Sequence, residues 1–201
     1  MTGSPIEAAL RKLIGVTIPP HFGDEKVPAF RPHMTITSDI PDNLDPKEVL
    51  GKISLSGLLE VSFKELNIGL LSKEMGVGYV KVFRKTYYTR GTLHLERTPA
   101  IVGLARQCRE LFANGGTEEE AVDKWEKEVF TPHVSLVYSA MEPIPDNMRK
   151  AIGKDLQEAN IGVLHWNGPK GEMRGWKGGS IVLVSTHNPI EEWEAMAERR
   201  L

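Results

Sequence analysis

The chain has 201 residues, enough for one hydrophobic core or for two small lobes. A hydrophobic content of 40% and a charged content of 26% are typical of a globular protein, not of a disordered one. The formal net charge is −2 and Lys and Arg form no run, so the chain lacks the basic stripe that binding along a nucleic acid requires. A long nucleic acid is therefore not the expected partner.

The single cysteine and the short apolar runs exclude several classes of protein. Cys108 is the single cysteine, which excludes an intramolecular disulfide and a cysteine-rich zinc site. No apolar stretch is long enough to span a bilayer, and Met1 to Pro5 does not resemble a signal peptide. We expect a cytoplasmic monomer without a membrane span.

Helix start signals occur at four places, each a capping residue followed by proline at the first helical position. They are Ser4-Pro5, Asp45-Pro46, Thr98-Pro99 and Asn188-Pro189. The third helix has an apolar stripe at helical spacing before a stop at Gly115, made of Ile101, Leu104, Ala105, Cys108, Leu111 and Phe112. Two more helices are predicted, from about Glu118 to Trp125 and from Pro145 to Glu158.

Strand-like runs lie between these helices at irregular intervals. They are Met34–Ser38, Val61–Leu70, Gly78–Phe83, Thr92–Glu96, Val134–Ser139, Gly162–Trp166 and Ser180–Thr186. Strands and helices do not alternate steadily, as they would in a doubly wound parallel sheet. The pattern predicts an α+β fold with mainly antiparallel sheets.

One short pattern occurs twice in the chain. It reads phenylalanine, any residue, proline, histidine, apolar, hydroxyl, apolar, and its copies are Phe30-Arg31-Pro32-His33-Met34-Thr35-Ile36 and Phe130-Thr131-Pro132-His133-Val134-Ser135-Leu136. With six histidines in the chain, a single His-x-Thr/Ser tripeptide would more often belong to an ordinary strand. Repetition of all seven positions indicates a shared function.

The period of a strand predicts how each copy is arranged. Residues two apart point to the same face, so His33 lies beside Thr35 and His133 beside Ser135, while the apolar residues face a core. Proline before each histidine suits the start of a strand, where no ladder donor is needed. Two such faces brought together give two imidazoles and two hydroxyls around one pocket.

That set of groups fits acid–base hydrolysis of a phosphodiester. A histidine pKa of about 6.5 makes both protonation states accessible near neutrality, so one ring can accept a proton while the other donates one. The hydroxyls of Thr35 and Ser135 would hold the non-bridging phosphate oxygens. We expect no metal and no cofactor.

These motifs resemble those of the two-histidine phosphoesterase superfamily. The second motif continues to Ser139 as Pro132-His133-Val134-Ser135-Leu136-Val137-Tyr138-Ser139, which is similar to the fungal and plant cyclic phosphodiesterase branch. Further similarity to fungal members lies in Trp125 to Phe130 and in the closing segments, Gly178 to Val184 and Pro189 to Glu194.

The resemblance implies one bilobal catalytic domain over residues 1–201, with pseudo-twofold symmetry and a central cleft, carrying motif 1 at 32–38 and motif 2 at 132–139. It implies hydrolysis of 2′,3′-cyclic nucleotides to nucleoside 2′-phosphates. It also implies hydrolysis of ADP-ribose 1″,2″-cyclic phosphate, a by-product of tRNA splicing, to ADP-ribose 1″-phosphate. A Golgi association is found for some fungal members.

Roles carry over to the matching residues. His33 and His133 would be catalytic, with His133 as the base and His33 as the acid, and Thr35 and Ser135 would bind the phosphate. Tyr138 matches an active-site tyrosine of the family. Family members open with a strand that bears aromatic residues, whereas here the first helix cap is already Ser4.

Other residues were weighed as ligands of a nucleotide. Trp176, in a glycine-rich stretch, is expected in the cleft, where it could stack on a base; Tyr87 and Tyr88 fit local packing as well as stacking. Four cations could attract an anion, although a solvated surface is the commoner place for each: Arg31, Lys85, Arg174 and Lys177. The remaining histidines have no second ligand at metal-binding spacing and are expected to be structural or surface residues: His21, His94, His165 and His187.

Two alternatives remain beside the hydrolase. One is a two-histidine enzyme that acts on RNA ends, against which the low basicity argues. The other is a non-catalytic nucleotide-binding module, which the absent opening strand favours. Retention of both histidines and both hydroxyls argues against it, because binding alone needs no acid–base pair.

Overall fold

The computed structural model describes residues 3–54, 58–68, 88, 90–113, 118–141, 144–164 and 168–201. Over these residues the helices are α1 (Pro5–Lys12), α2 (Pro46–Lys52), α3 (Pro99–Phe112), α4 (Glu119–Glu128) and α5 (Asp146–Glu158). The strands are β1 (Glu60–Ile68), β2 (Gly91–Leu95), β3 (His133–Val137), β4 (Gly175–Lys177), β5 (Ser180–Val184) and β6 (Ala195–Arg200). This mixture confirms the predicted α+β class.

Two antiparallel sheets organise the described strands. The larger has the order β3-β2-β1-β4, and the smaller pairs β5 with β6. Arg199 on β6 ties the smaller sheet to α2 by donating to the carbonyl oxygens of Leu50 and Ile53, at 2.9 and 2.6 Å. Leu50 lies in the last turn of α2 and Ile53 directly follows the helix, where carbonyl oxygens lack helical partners.

The core lies on one face of the larger sheet. Phe63 of β1, Leu93 and Leu95 of β2, and Val134 and Leu136 of β3 are all at most 2% exposed. Buried residues of the helices complete the same cluster, among them Leu10, Val49, Ile101, Leu104, Ile152 and Leu156. Because side chains alternate along a strand, the residues between these apolar positions point to the opposite face of the sheet.

A β-bulge at Lys64 changes the facing of β1. Phe63 is opposite Leu95, yet the next pair is Glu65 with His94, so Lys64 is an extra residue. The core-facing positions accordingly run from the buried Val61 and Phe63 to the partly buried Leu66 rather than to Glu65. Beyond the bulge, Glu65 therefore points to the face opposite the core.

Three of the four predicted helix starts are confirmed by side-chain caps. Ser4 accepts from the Glu7 amide at 3.2 Å, Asp45 from the Lys47 amide at 2.7 Å, and Thr98 from the Ile101 amide at 3.3 Å. The fourth prediction is wrong in extent, because Asn188-Pro189 leads only into a single 3₁₀ turn, Ile190–Glu192, without a side-chain cap.

The helices predicted near Glu118 and Pro145 are both present, as α4 and α5. A π-helical turn (Leu13–Thr17) and a 3₁₀ helix (Pro19–Phe22) follow α1 and were not predicted.

The strand predictions are partly corrected. Met34–Ser38 forms only one antiparallel bridge, between Met34 and Val134, and Gly162–Trp166 forms no described strand, although the neighbouring Ile161 bridges Met173. Near the latter, Gly162 packs so closely on Gly171 that a Cβ would meet its carbonyl oxygen at 2.1 Å. Gly78–Phe83 lies outside the described residues. Strands β4 and β6 were missed, because β4 has three residues and β6 is largely polar.

Within the described part of the chain, no helix combines the length and the apolar character needed to cross a membrane.

The apolar stripe of α3 supplies a test of this packing. Leu104 is 3% exposed, whereas Leu111, which the stripe also includes, is 45% exposed. We expect Leu104→Ala to lower the free energy of unfolding by about 2–5 kcal/mol, because it leaves a cavity in the core. Leu111→Ala is the matched control and should change it by only about 0.5 kcal/mol. Urea denaturation measures both, and equal losses would contradict the burial of α3.

Candidate active site

The antiparallel bridge between Met34 and Val134 brings the two motifs together. These are the apolar residues at the centre of each motif, and both face the core. Because the chains run in opposite directions at the bridge, His33 comes to the side of Ser135 and Thr35 to the side of His133. The four polar side chains then share the face opposite the core, with the histidines on a diagonal.

The two imidazoles are held in the same way. His33 Nδ1 is 2.8 Å from the carbonyl oxygen of Arg31, and His133 Nδ1 is 2.7 Å from that of Thr131. In each case the acceptor is the residue two positions upstream. Since a carbonyl oxygen can only accept, Nδ1 carries the proton in both rings. Nε2 is therefore the nitrogen of each ring that can exchange a proton with a ligand.

The surroundings of His33 bias its charge. Burial lowers the pKa of His33 below its ordinary value of 6.5, the hydrogen bond to Arg31 opposes this, and the positive charge of His133 lowers it further. The effect of His133 shows that the two rings interact electrostatically. Together these effects favour the neutral form of His33 in the free protein.

The two motif hydroxyls differ in exposure. Thr35 is exposed, as expected for a group that meets a ligand from solvent. Ser135 is only 4% exposed, and its hydroxyl donates to the carbonyl oxygen of Tyr88 at 3.2 Å. Ser135 can donate to a ligand only if its hydroxyl rotates away from Tyr88.

Tyr138 is close to the first motif through aromatic contacts. Its ring stacks on Phe30, with centroids 4.6 Å apart, and meets the Tyr88 ring edge-on at 5.3 Å. Phe30 in turn lies edge-on to His33 at 6.0 Å. Tyr138 is buried, and it reaches the His33 side of the site through Phe30.

The end of motif 2 is fixed by two charged side chains. Glu25 accepts from the Ser139 hydroxyl and from the Ala140 amide, each at 2.7 Å, and Arg90 donates to the Ser139 carbonyl oxygen at 3.1 Å. The turn after β3 is thus held to the segment that follows the 3₁₀ helix.

The structure does not bring Trp176 to the histidines. Trp176 lies on β4, three strands away from β3, and is opposite Val61, so it shares the core face of the sheet. Its ring packs edge-on against Phe63 at 5.9 Å. The cavity that Trp176 lines has a volume of about 530 Å³ and includes none of the four motif side chains. The prediction that Trp176 binds substrate gains no support from this position.

Trp193 is a neighbour of the site that was not predicted. Its ring lies 5.7 Å from that of His33, tilted by 48°, and its indole nitrogen donates to the carbonyl oxygen of Asn188 at 2.9 Å. Ile190 anchors the same segment on the cluster of Ile14, Phe30 and Tyr138. The C-terminal part of the chain thus reaches back to motif 1, which local sequence patterns do not indicate.

His94 is the second neighbour that was missed, having been assigned to the structural or surface histidines. It lies opposite His133 in the β2–β3 register, with ring centroids 6.4 Å apart. Its Nδ1 is 3.2 Å from Oε1 of Glu65. The alternation Leu93-His94-Leu95 places His94 on the face away from the core, but only the register shows that this is the face of His133.

The other weighed residues lie elsewhere or have other partners. Lys177 pairs with Glu60 at 3.2 Å, and Arg174 donates to the Gly171 carbonyl oxygen at 3.2 Å. His21 pairs with Asp155 at 2.6 Å and His187 with Asp42 at 3.3 Å. Arg31 lies 3.9 Å from Glu7. Tyr87, Lys85 and His165 lie outside the described residues. Among the residues described, no group of three or more His, Cys, Asp or Glu is placed to hold a metal ion.

Comparison with known proteins gives consistent results along the whole chain. The sequence model of the family described as "Cyclic phosphodiesterase-like protein" matches residues 1–201. Among curated proteins, the 2′,3′-cyclic-nucleotide 3′-phosphodiesterase of Phaeosphaeria nodorum is 32% identical over 90% of this chain and 85% of its own length.

Two further fungal proteins bear the same name. That of Neurospora crassa is 32% identical over 98% of this chain and 93% of its own length. That of Yarrowia lipolytica is 30% identical over 90% of this chain and 87% of its own length.

The lowered pKa of His33 can be measured directly. We expect NMR titration of the imidazole signals to give a pKa for His33 below 6.5, and His133→Gln to raise the pKa of His33, because it removes a neighbouring positive charge. His187→Gln, which alters an exposed histidine, should leave the pKa of His33 unchanged. A pKa of His33 at or above 6.5 would contradict the effect of burial, and a pKa unchanged by His133→Gln would show that the two rings do not interact.

Proposed function

The chain belongs to the cyclic phosphodiesterase-like protein family, and we propose that it hydrolyses 2′,3′-cyclic nucleotides to nucleoside 2′-phosphates by paired histidine acid–base catalysis. The observation that carries this proposal is the antiparallel bridge between Met34 and Val134, which brings the two His-x-Thr/Ser faces side by side. The names of the fungal relatives support the same class of reaction.

The reaction follows from the two anchored rings. Water attacks phosphorus and gives a proton to Nε2 of one histidine. The bond between phosphorus and O3′ breaks, and the other histidine gives the proton of its Nε2 to O3′. The phosphate remains on O2′, and the two rings have exchanged protonation states at the end of a turnover.

We assign the base to His33 and the acid to His133. The lowered pKa of His33 supports this division, because it keeps His33 neutral and able to accept a proton. The division is the opposite of the one that the plant branch implies. Thr35 would donate to one non-bridging oxygen, and Ser135 would do so after leaving Tyr88.

ADP-ribose 1″,2″-cyclic phosphate is a second substrate in this proposal. It contains the same five-membered cyclic phosphate on a ribose, so the same two proton transfers would open it to ADP-ribose 1″-phosphate. The support for it is the family resemblance of the two motifs and of the C-terminal segment. A role in the turnover of tRNA-splicing by-products follows from that substrate.

Turnover of 2′,3′-cyclic AMP in EDTA tests the reaction and its independence of metal. We expect adenosine 2′-phosphate as the product, and we expect His33→Ala and His133→Ala each to lose at least about 10³-fold in kcat/KM, since each removes one of the two proton transfers. His187→Ala is the control and should retain the wild-type rate. Phosphate position is assigned by ³¹P NMR. A 3′-phosphate product, or activity only with added metal, would refute the proposal; binding without turnover would identify a nucleotide-binding module instead.

The pH dependence tests the division of roles. Activity should fall as the pH falls through the pKa of His33, because protonated His33 cannot accept a proton from water. Since kcat/KM reports the free enzyme, the midpoint of its acid limb should lie below pH 6.5. A midpoint above 6.5 would mean that His33 is not the base.

A further inference from the structure

His94 and Glu65 extend the face of the two motifs across the larger sheet. Each lies opposite the next in register, so that His133 of β3, His94 of β2 and Glu65 of β1 form one row. Glu65 belongs to this row only because of the bulge at Lys64. Without the extra residue, the alternation of β1 would turn Glu65 toward the core. Bulges of this kind occur beside active sites, where they redirect a side chain.

The orientation of the His94 ring follows from its contact with Glu65. Because a carboxylate only accepts, Nδ1 of His94 carries the proton at this 3.2 Å contact. Glu65 comes from β1, on one side of β2, and His133 lies on the other side, so we infer that Nε2 is the nitrogen nearer to β3. His94 is therefore a third imidazole with an anchored Nδ1. Its acceptor is a carboxylate rather than a carbonyl group.

The space between His94 and His133 suits part of a phosphate group. Their ring centroids are 6.4 Å apart, too far for a direct hydrogen bond between the ring nitrogens. Two N–H donors at about 2.8 Å from atoms of one small ligand need a separation of at least this order between their rings. A cyclic phosphate above β2 and β3 could therefore place its leaving oxygen at His133 and a non-bridging oxygen at His94.

Two hydroxyls lie beside His133 and His94, and neither is seen to donate to a ligand. Ser135 already donates to Tyr88. Thr92, opposite Ser135, is 2% exposed, and its Oγ1 has no hydrogen-bond partner among the described residues. A buried hydroxyl without a partner is uncommon and marks a place where a ligand or water supplies the missing bond.

We propose that His94, oriented by Glu65, is a further catalytic residue that donates a hydrogen bond from Nε2 to a non-bridging oxygen of the cyclic phosphate. It supplies an N–H donor where the charge of the phosphoryl group must be held, beside His133 and on the side where the Ser135 hydroxyl donates to Tyr88. This inference rests on the proposed function and adds a contact to that site.

Kinetics with three substrates test the contact. They are 2′,3′-cyclic AMP and the two diastereomers of its phosphorothioate, in each of which one non-bridging oxygen is replaced by sulfur, a weaker acceptor. We expect His94→Ala to lower kcat/KM for 2′,3′-cyclic AMP by about 10²–10³-fold. We expect His94→Gln, which keeps an N–H donor, to lose less, and Glu65→Gln to lose a smaller factor through misorientation of the ring. The wild type should be slowed by sulfur at the oxygen that His94 contacts, and His94→Ala should lose that sensitivity, which changes the ratio of rates for the two diastereomers.

The controls separate a catalytic role from a structural one. His187 and Asp42 form another histidine–carboxylate pair, at 3.3 Å and exposed, so His187→Ala and Asp42→Asn should leave the kinetics unchanged. A purely structural role of His94 would slow all three substrates by the same factor and keep the sensitivity to sulfur, which would overturn the proposal. So would wild-type kinetics for both His94→Ala and Glu65→Gln while His33→Ala is inactive.

Binding of inorganic phosphate tests the contact with His94 without requiring turnover. On addition of inorganic phosphate, the ¹⁵N signal of His94 Nε2 should shift in the wild type, and Glu65→Gln should reduce the shift. If the wild type does not hydrolyse cyclic nucleotides, the proposed function fails, and a phosphate-dependent shift would still support His94 as a phosphate ligand. A signal that does not respond to phosphate would overturn the proposal in either case.

Discussion

The site depends on one backbone contact, the antiparallel bridge between Met34 and Val134. Both side chains face the core, so the packing that stabilises the sheet also sets the two motifs side by side. The period of an extended chain then sends both histidines and both hydroxyls to the other face. Substitutions that loosen this bridge would separate the two rings without altering either of them.

The two motifs are alike in sequence and unlike in structure. Motif 2 is a hydrogen-bonded strand of the larger sheet, and its hydroxyl is buried against Tyr88. Motif 1 is joined by a single bridge, and its hydroxyl is exposed. The two histidines are nevertheless oriented alike, because Nδ1 of each ring donates to a carbonyl oxygen of its own segment. Local anchoring preserves the ring geometry, while the surroundings set the pKa of His33 below that of an ordinary histidine.

Packing around the motifs comes from distant parts of the chain. Phe30 stacks on Tyr138, and Trp193 reaches His33 from the C-terminal segment, whose Ile190 rests on the same cluster. On the opposite side, the sheet register and the bulge at Lys64 bring Glu65 and His94 next to His133. Aromatic side chains therefore lie beside His33, whereas the ionisable side chains of His94 and Glu65 lie beside His133.

By itself, the sequence determined what depends on local rules. Period two placed His33 with Thr35 and His133 with Ser135, and capping residues located the starts of α1, α2 and α3. Tertiary structure alone decided what depends on register and long-range packing. Trp176 faces the core from β4 rather than the histidines, because strand order and facing are set by pairing partners. Glu65 joins His94 because one extra residue reverses the facing of β1, an effect that the alternation of a single strand cannot reveal.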